Sequence, residues 1–211
     1  MRPVTFSRTL AAAAVGAICA SQTTAGAGNL LINGTLASAG VATLAAQQTV
    51  GITSAGNDSA VNFTVTGTDD QGRVISQTIA GPNANTVQTT LNYRTVTQIA
   101  VSAAVASAVT VDTLQIGGSQ EIPVDRYLGP TDISVGVIVT GTLNYTVQWT
   151  LDDVFGAAPG PFTWFSAGAN LVGASTTQSG SIGAPVSAIR LLTNSGNGAG
   201  KIIVQQSGMV S

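Results

Sequence analysis

Two pairs of adjacent carboxylates are the residues of this chain with the clearest capacity for chemistry. Asp69 and Asp70 lie in the stretch NFTVTGTDDQGRVISQTI, and Asp152 and Asp153 lie in WTLDDVFG. Two carboxylates can divide acid and base roles in glycoside hydrolysis, or supply oxygen ligands to a metal ion. Whether they do either depends on the elements that carry them.

The first pair lies where a β-hairpin is expected to turn. Phe63 and Val65 alternate with polar residues before it, and Ile75 and Ile79 resume the alternation after it. Asp bonds its own backbone in turns, and a glycine such as Gly72 tolerates positive φ. A calcium loop would need further oxygen ligands that end in a bidentate carboxylate, and none follows. The pattern therefore predicts a turn and not a metal site.

The second pair is predicted to have a structural role. Adjacent residues on a strand point to opposite faces, so Asp152 and Asp153 cannot flank one bond unless a turn reorients them. Arg190 shares a strand face with apolar residues in PVSAIRLLT, which favours a charged partner. We predict an ion pair between Arg190 and Asp152 or Asp153. A hydrolase remains an alternative that would need both aspartates to line a pocket.

Other catalytic signals are weak. The chain has no His and a single Cys, Cys19, so Ser-His and Cys-His nucleophile arrangements and an internal disulfide are excluded. The segment NSGNGAGK, 194–201, resembles a phosphate loop but lacks its spacing and the helix that follows it. We predict that the protein is not an enzyme and needs no cofactor or metal.

The charge content points towards assembly. Charged residues make up 8% of the 211 residues, against ~25% in average domains, and the net charge is -2. No basic stripe exists that could neutralise phosphates, so nucleic acid is not an expected partner. Because the net charge is small, electrostatic repulsion between copies of the chain is weak, which favours a homo-oligomer.

Residues 1–28 have the layout of a secretory signal. Arg2 and Arg8 precede the apolar segment TLAAAAVGAICA, which is too short to span a membrane. We nevertheless expect an uncleaved arm that lies along another subunit through Arg2, Phe6 and Arg8. Deleting the arm should then leave the body folded.

The remaining chain reads as short β segments rich in Val, Ile and Thr, separated by Gly, Asn, Asp or Pro. The predicted strands are 30–36, 49–53, 61–66, 73–79, 93–101, 108–116, 132–140, 144–151, 186–193 and 201–206. No helical crossovers separate them, so the pattern predicts an all-β, antiparallel β-sandwich or jelly-roll fold. The composition changes near QIGGSQEIP. We therefore predict an arm at 1–28, a first β region at 29–118 and a second at 119–211.

Aromatic residues are concentrated in the second region. Trp149 is predicted to belong to its core, whereas Phe162, Trp164 and Phe165 follow a proline-containing loop and are the better candidates for an interface.

Three segments of the chain resemble small virion structural proteins of tailed bacteriophages. They are GITSAGNDSAVNFTVTGTDDQGRVISQTI, IPVDRYLGPTDISVGVIVTGTLNYTVQWTLDDVF and APVSAIRLLTNSGNGAGKIIVQQSG, which together cover most of residues 51–208. The resemblance lies in the style and order of segments and includes no diagnostic motif. It implies a capsid decoration, or cement, protein on the virion surface that binds the major capsid protein across subunit seams. Such proteins commonly have β-sandwich or jelly-roll folds with extended arms.

Two other classes of protein fit the same sequence. A phage tail or connector component would share the composition and differ in copy number. An exported adhesin or carbohydrate-binding module would be cleaved near residues 25–27 and would use the loop at 162–165 as its ligand platform.

Overall fold

The computed structural model describes residues 4–9, 13–125, 132–155 and 162–206. Its first ten strands are β1 (Val4–Thr9), β2 (Ala14–Gln22), β3 (Gly28–Asn29), β4 (Ala37–Ser38), β5 (Val41–Gln48), β6 (Val50–Ser54), β7 (Asn62–Thr68), β8 (Val74–Ala80), β9 (Thr86–Gln88) and β10 (Tyr93–Val101). The others are β11 (Val109–Thr113), β12 (Gly117–Gly118), β13 (Ile122–Pro123), β14 (Ile133–Thr140), β15 (Asn144–Thr150), β16 (Phe165–Ser166), β17 (Gln178–Ile182), β18 (Ala188–Ser195) and β19 (Ala199–Gln206). A 3-10 turn, Ala169–Leu171, precedes β17.

The chain divides into two compact units. The N-terminal unit is Ala11–Gln115, and the C-terminal unit is Ile116–Ser211 together with Met1–Leu10. The division falls close to the boundary predicted after residue 118. It differs in the first residues, because β1 belongs to the C-terminal unit and β2 belongs to the N-terminal unit.

The N-terminal unit is an antiparallel sandwich of two sheets. One sheet has the order β4-β5-β10-β7-β8, with β3 paired to β10, and the other has the order β2-β11-β6-β9. Fully buried side chains from both sheets form one core, for example Phe63 and Val65 from the first and Ile18 and Val111 from the second. The alternation along β7, where Phe63 and Val65 are buried and Thr64 and Thr66 are not, is what a half-buried strand requires.

The C-terminal unit repeats the architecture with its own core. Its sheets have the orders β1-β19-β14-β17 and β12-β18-β15-β16, with β13 paired to β18. Val137 and Ile202 from the first sheet and Val147 and Leu191 from the second are fully buried together. Every strand pairing among the described residues is antiparallel, which confirms the predicted all-β sandwich class.

Most of the predicted strands are present, but several strands of the structure were not predicted. Residues 30–36, predicted to be a strand, do not form one, and the longer strands missing from the prediction are β1, β2, β5, β9 and β17. The Ala-rich tract that contains β2 has weak strand propensity, so its pairing with β11 is set by tertiary contacts.

The predicted arm is therefore built into the sheets where it is described. Along β1, Val4 pairs with Val204, and Val4 and Phe6 pack partly buried on the C-terminal core. In β2, Ile18 and Cys19 are fully buried in the N-terminal core.

Candidate functional site

The hairpin predicted around Asp69 is confirmed. Strands β7 and β8 pair along their whole length, and Gly72 adopts φ 76° in the turn between them. Asp69 Oδ1 accepts hydrogen bonds from the backbone N–H groups of Gln71 and Arg73, both at 2.9 Å. Its Oδ2 lies 2.6 Å from Arg73 Nε. This carboxylate thus organises the turn.

The neighbouring carboxylate, Asp70, forms a longer ion pair, in which its Oδ1 lies 3.6 Å from Arg94 Nε. Within the described part of the chain, no group of three or more His, Cys, Asp or Glu side chains could hold a metal ion.

The second pair of carboxylates caps the backbone after β15. Asp152 Oδ2 accepts from the N–H of Thr163, and Asp153 Oδ1 accepts from that of Phe155 at 3.0 Å. Arg190 Nε donates to Gln148 Oε1 at 2.9 Å. Its guanidinium group lies over the ring of Trp164, the residue after Thr163. Asp152 and Arg190 therefore contact neighbouring residues of one segment, and an ion pair of Arg190 with Asp152 or Asp153 stays a prediction.

Arg190 and four aromatic residues form two groups of contacts around strands β15 and β16, one on each face of the sheet. We call Trp149, Phe162, Trp164 and Phe165 the aromatic cluster. Trp149 and Phe165 stack with their ring centres 4.7 Å apart. Phe162 meets Trp164 edge-on at 6.3 Å, and the Arg190 guanidinium carbon lies 4.1 Å from the centre of the Trp164 ring.

Strand register explains this arrangement. Trp149 lies opposite Phe165 and Gln148 lies opposite Arg190, so the two pairs occupy opposite faces of the sheet. Trp164 precedes Phe165 and therefore falls on the face of Arg190. The Arg190 side chain packs closely against Gly118: a Cβ at residue 118 would lie only 3.0 Å from Arg190 Nη1.

The aromatic cluster adjoins exposed apolar side chains. Trp149 packs partly buried on the core, as predicted, but Phe165 is 43% exposed. Leu151 and Phe155, in the segment that leaves β15, are 56% and 67% exposed. Exposed aromatic and aliphatic side chains of this kind are typical of a binding surface.

A second candidate surface lies on the N-terminal unit and was missed from the sequence. We call its six hydroxyl side chains, Thr64, Thr66, Thr68, Ser76, Thr78 and Thr95, the hydroxyl face. They form three cross-strand pairs: Thr64 with Thr78 at 2.8 Å, Thr66 with Ser76 at 3.0 Å and Thr68 with Thr95 at 2.7 Å.

The hydroxyl face carries no charge. The outward positions of β7 and β8 alternate with buried or half-buried positions and hold only Asn, Thr, Ser, Val and Ala. The signal in the sequence was the T-x-T-x-T pattern at 64–68 followed by S-x-T at 76–78, which strand alternation places on one face.

Three predicted contact residues lie in the N-terminal segment. Arg2 and the side chain of Arg8 lie outside the described residues, and Phe6 packs on the C-terminal core. Their role in binding a partner stays a prediction. In the parts of the chain that the structure describes, no helix has the length and apolar character needed to cross a membrane.

Two buried groups in the N-terminal unit are held neutral. Burial, and secondarily the carboxylate of Asp112, raises the pKa of the Cys19 thiol to about 12. Burial also raises the pKa of Tyr93, whose hydroxyl donates to the carbonyl of Val65 at 3.0 Å. An un-ionised, fully buried thiol suits packing and not nucleophilic chemistry.

No protein-family model matches this chain, and no curated protein matches it.

Proposed function

We propose that this protein is a non-catalytic structural component of a bacteriophage virion, a decoration protein that binds the major capsid protein across subunit seams. The resemblance of its segments to virion proteins motivates the proposal, and the hydroxyl face is the single structural observation that supports it best. A rigid, uncharged sheet face can mate with another protein without the cost of desolvating charges.

Two further features fit this role. The hydroxyls are already paired with one another, so few unsatisfied groups would be buried by a partner. The exposed side chains of Phe155 and Phe165 offer apolar anchors on the other unit. Weak contacts of each copy would add up on a shell that presents many equivalent sites.

The first test is peptide mass spectrometry on purified particles. Copy numbers comparable to the shell protein are expected for a decoration protein. A few copies per particle would indicate the tail or connector instead. Absence from particles would overturn the proposal and favour an exported module.

A binding assay on undecorated shells tests the surface. Thr64→Lys/Thr66→Lys places two charges on the hydroxyl face and should abolish binding. Asn83→Lys/Gln88→Lys adds the same charge at exposed positions outside that face and should bind like the unmodified protein. Equal binding by both variants would show that the hydroxyl face is not the contact.

The aromatic cluster supports a second candidate, carbohydrate binding. Aromatic rings near Asp152 and Gln148 could present both a stacking surface and polar partners to a sugar. A glycan array with the unmodified protein and Trp164→Ala would test it, and specific binding lost in the variant would favour this candidate.

A further inference from the structure

Strand β8, Val74–Ala80, lies at the edge of its sheet. It pairs with β7 through seven registered residue pairs without a register shift, and it is the last strand in the order of that sheet. Exposed edges are templates for pairing with another chain, and proteins usually protect them with Lys, Pro or a bulge. Strand β8 contains none of these.

The sequence of β8 is chemically palindromic about its central residue. Reading VISQTIA outwards from Gln77 gives Ser76 and Thr78, then two isoleucines, then Val74 and Ala80. Ser76 and Thr78 are exposed, whereas Ile75 is buried and Ile79 is partly buried against the core. An antiparallel strand with the same sequence would therefore match like side chains on both faces.

We propose that two copies of this chain associate through antiparallel pairing of β8 with β8, with Gln77 on the two-fold axis. A two-fold contact uses the same patch on both copies, so it requires the self-complementarity that β8 has. Ser76 of one copy lies opposite the second copy's Thr78, and Val74 lies opposite its Ala80. The dimer does not depend on the proposed role in a capsid.

This register extends a pattern already present in the fold. Ser76 pairs its hydroxyl with Thr66, and Thr78 pairs with Thr64. The two hydroxyl contacts across the dimer axis continue these rows into the second copy, so that the hydroxyl faces of both copies form one surface. Cross-strand hydroxyl pairs are among the contacts that stabilise sheets.

The proposed contact would bring no like charges together and would not leave the Gln77 side chain without hydrogen-bond partners. Gln77 Oε1 accepts from the N–H groups of Thr90 and Leu91, both at 3.0 Å, so its amide is bonded within its own chain. The charged hairpin tip of one copy, 69–73, faces the second copy's residues 81–85, which carry no charge. No like charges meet across the contact.

Sedimentation velocity on the full chain, over a range of concentrations, tests the dimer. A species of twice the 21.0 kDa chain mass is expected. Ser76→Lys/Thr78→Lys sets lysines opposite each other and should leave only monomer. Thr64→Lys/Thr66→Lys, on the inner strand of the same face, is the matched control and should remain dimeric. Circular dichroism verifies that both variants are folded.

Disulfide trapping tests the register. Val74→Cys/Ala80→Cys should give a covalent dimer under oxidised glutathione, since these positions lie about 20 Å apart within one chain and cannot pair there. Ser76→Cys/Ala80→Cys is offset from the proposed register and should remain uncrosslinked, as should Val74→Cys alone. A protein that is monomeric at every concentration would overturn the proposal. So would a dimer that survives the β8 lysines and is not trapped by the first cysteine pair.

Discussion

The guanidinium group of Arg190 lies over the ring of Trp164, 4.1 Å from the ring centre, while its Nε donates to Gln148. These contacts attach the segment that follows β15 to the face of the sheet. The position of Trp164 therefore depends on a residue that is distant from it in sequence.

Replacing Arg190 by Ala should destabilise the C-terminal unit by about 1–2 kcal/mol, through loss of the cation–π contact and the hydrogen bond to Gln148. A double-mutant cycle of Arg190→Ala with Trp164→Ala in urea unfolding should give a coupling of about 0.5–1 kcal/mol. Phe155→Ala, at an exposed position, is the control and should change stability little. Additive effects of the two replacements would contradict a direct contact.

Two glycines inside strands should respond oppositely to alanine. A Cβ at Gly67 would overlap sterically with the Thr95 carbonyl oxygen, whereas a Cβ at Gly136 meets nothing within 4 Å. Gly67→Ala should cost about 3 kcal/mol because the backbone must move. Gly136→Ala should be neutral or stabilise by about 0.5–1 kcal/mol. Chemical unfolding of both variants checks this, and similar values for the two would count against the close approach of β7 to β10.

Shortening the N-terminus in two steps should affect the two units separately. Removing residues 1–9 deletes β1 together with Val4 and Phe6 and uncovers the part of the core against which they pack, which should cost the C-terminal unit about 2 kcal/mol. Removing residues 1–22 also deletes β2 with the buried Ile18 and Cys19, and the N-terminal unit should then lose its fold.

Hydrogen exchange with mass spectrometry distinguishes the two truncations. Amides in 62–80 should stay protected in the shorter deletion and lose protection in the longer one. Protection that survives both deletions would restore the interpretation of residues 1–28 as a dispensable arm.

Alkaline pH should destabilise the N-terminal unit. The pKa of Cys19 is raised from 9.0 to about 12, so the unfolded chain releases this proton at lower pH than the folded one. The contribution of Cys19 to stability is complete below pH 9.0 and is lost as the pH rises towards about 12, at about 1.4 kcal/mol per pH unit. The raised pKa of Tyr93 acts in the same direction from pH 10.0 upwards.

Unfolding curves between pH 7 and 11 for the unmodified protein and Cys19→Ala provide the test. At neutral pH the variant should have a lower free energy of unfolding than the unmodified protein, because a buried side chain is shortened. Its stability should fall less steeply above pH 9.0. Parallel curves would show that Cys19 titrates alike in the folded and unfolded chains.

Sequence patterns alone were enough to predict the class of the fold and the β7–β8 hairpin. Alternating apolar residues, the Asp-rich turn and Gly72 lie within one short stretch, so the β7–β8 hairpin needs no distant contact to be specified. The same alternation marks β10, β14, β15 and β19, where strongly β-prone residues agree with the final structure.

Long-range contacts set the pairing of segments with weak strand propensity and bring together side chains that are distant in sequence. The Ala-rich β2 becomes a strand because β11, some 90 residues away in the sequence, supplies its hydrogen bonds. The burial of Ile18 in the core also holds β2 in place. Arg190 meets Trp164 through the register of β18, β15 and β16. The edge position of β8 also follows from sheet order, because a strand's own residues specify its two faces but not which neighbour lies on either side.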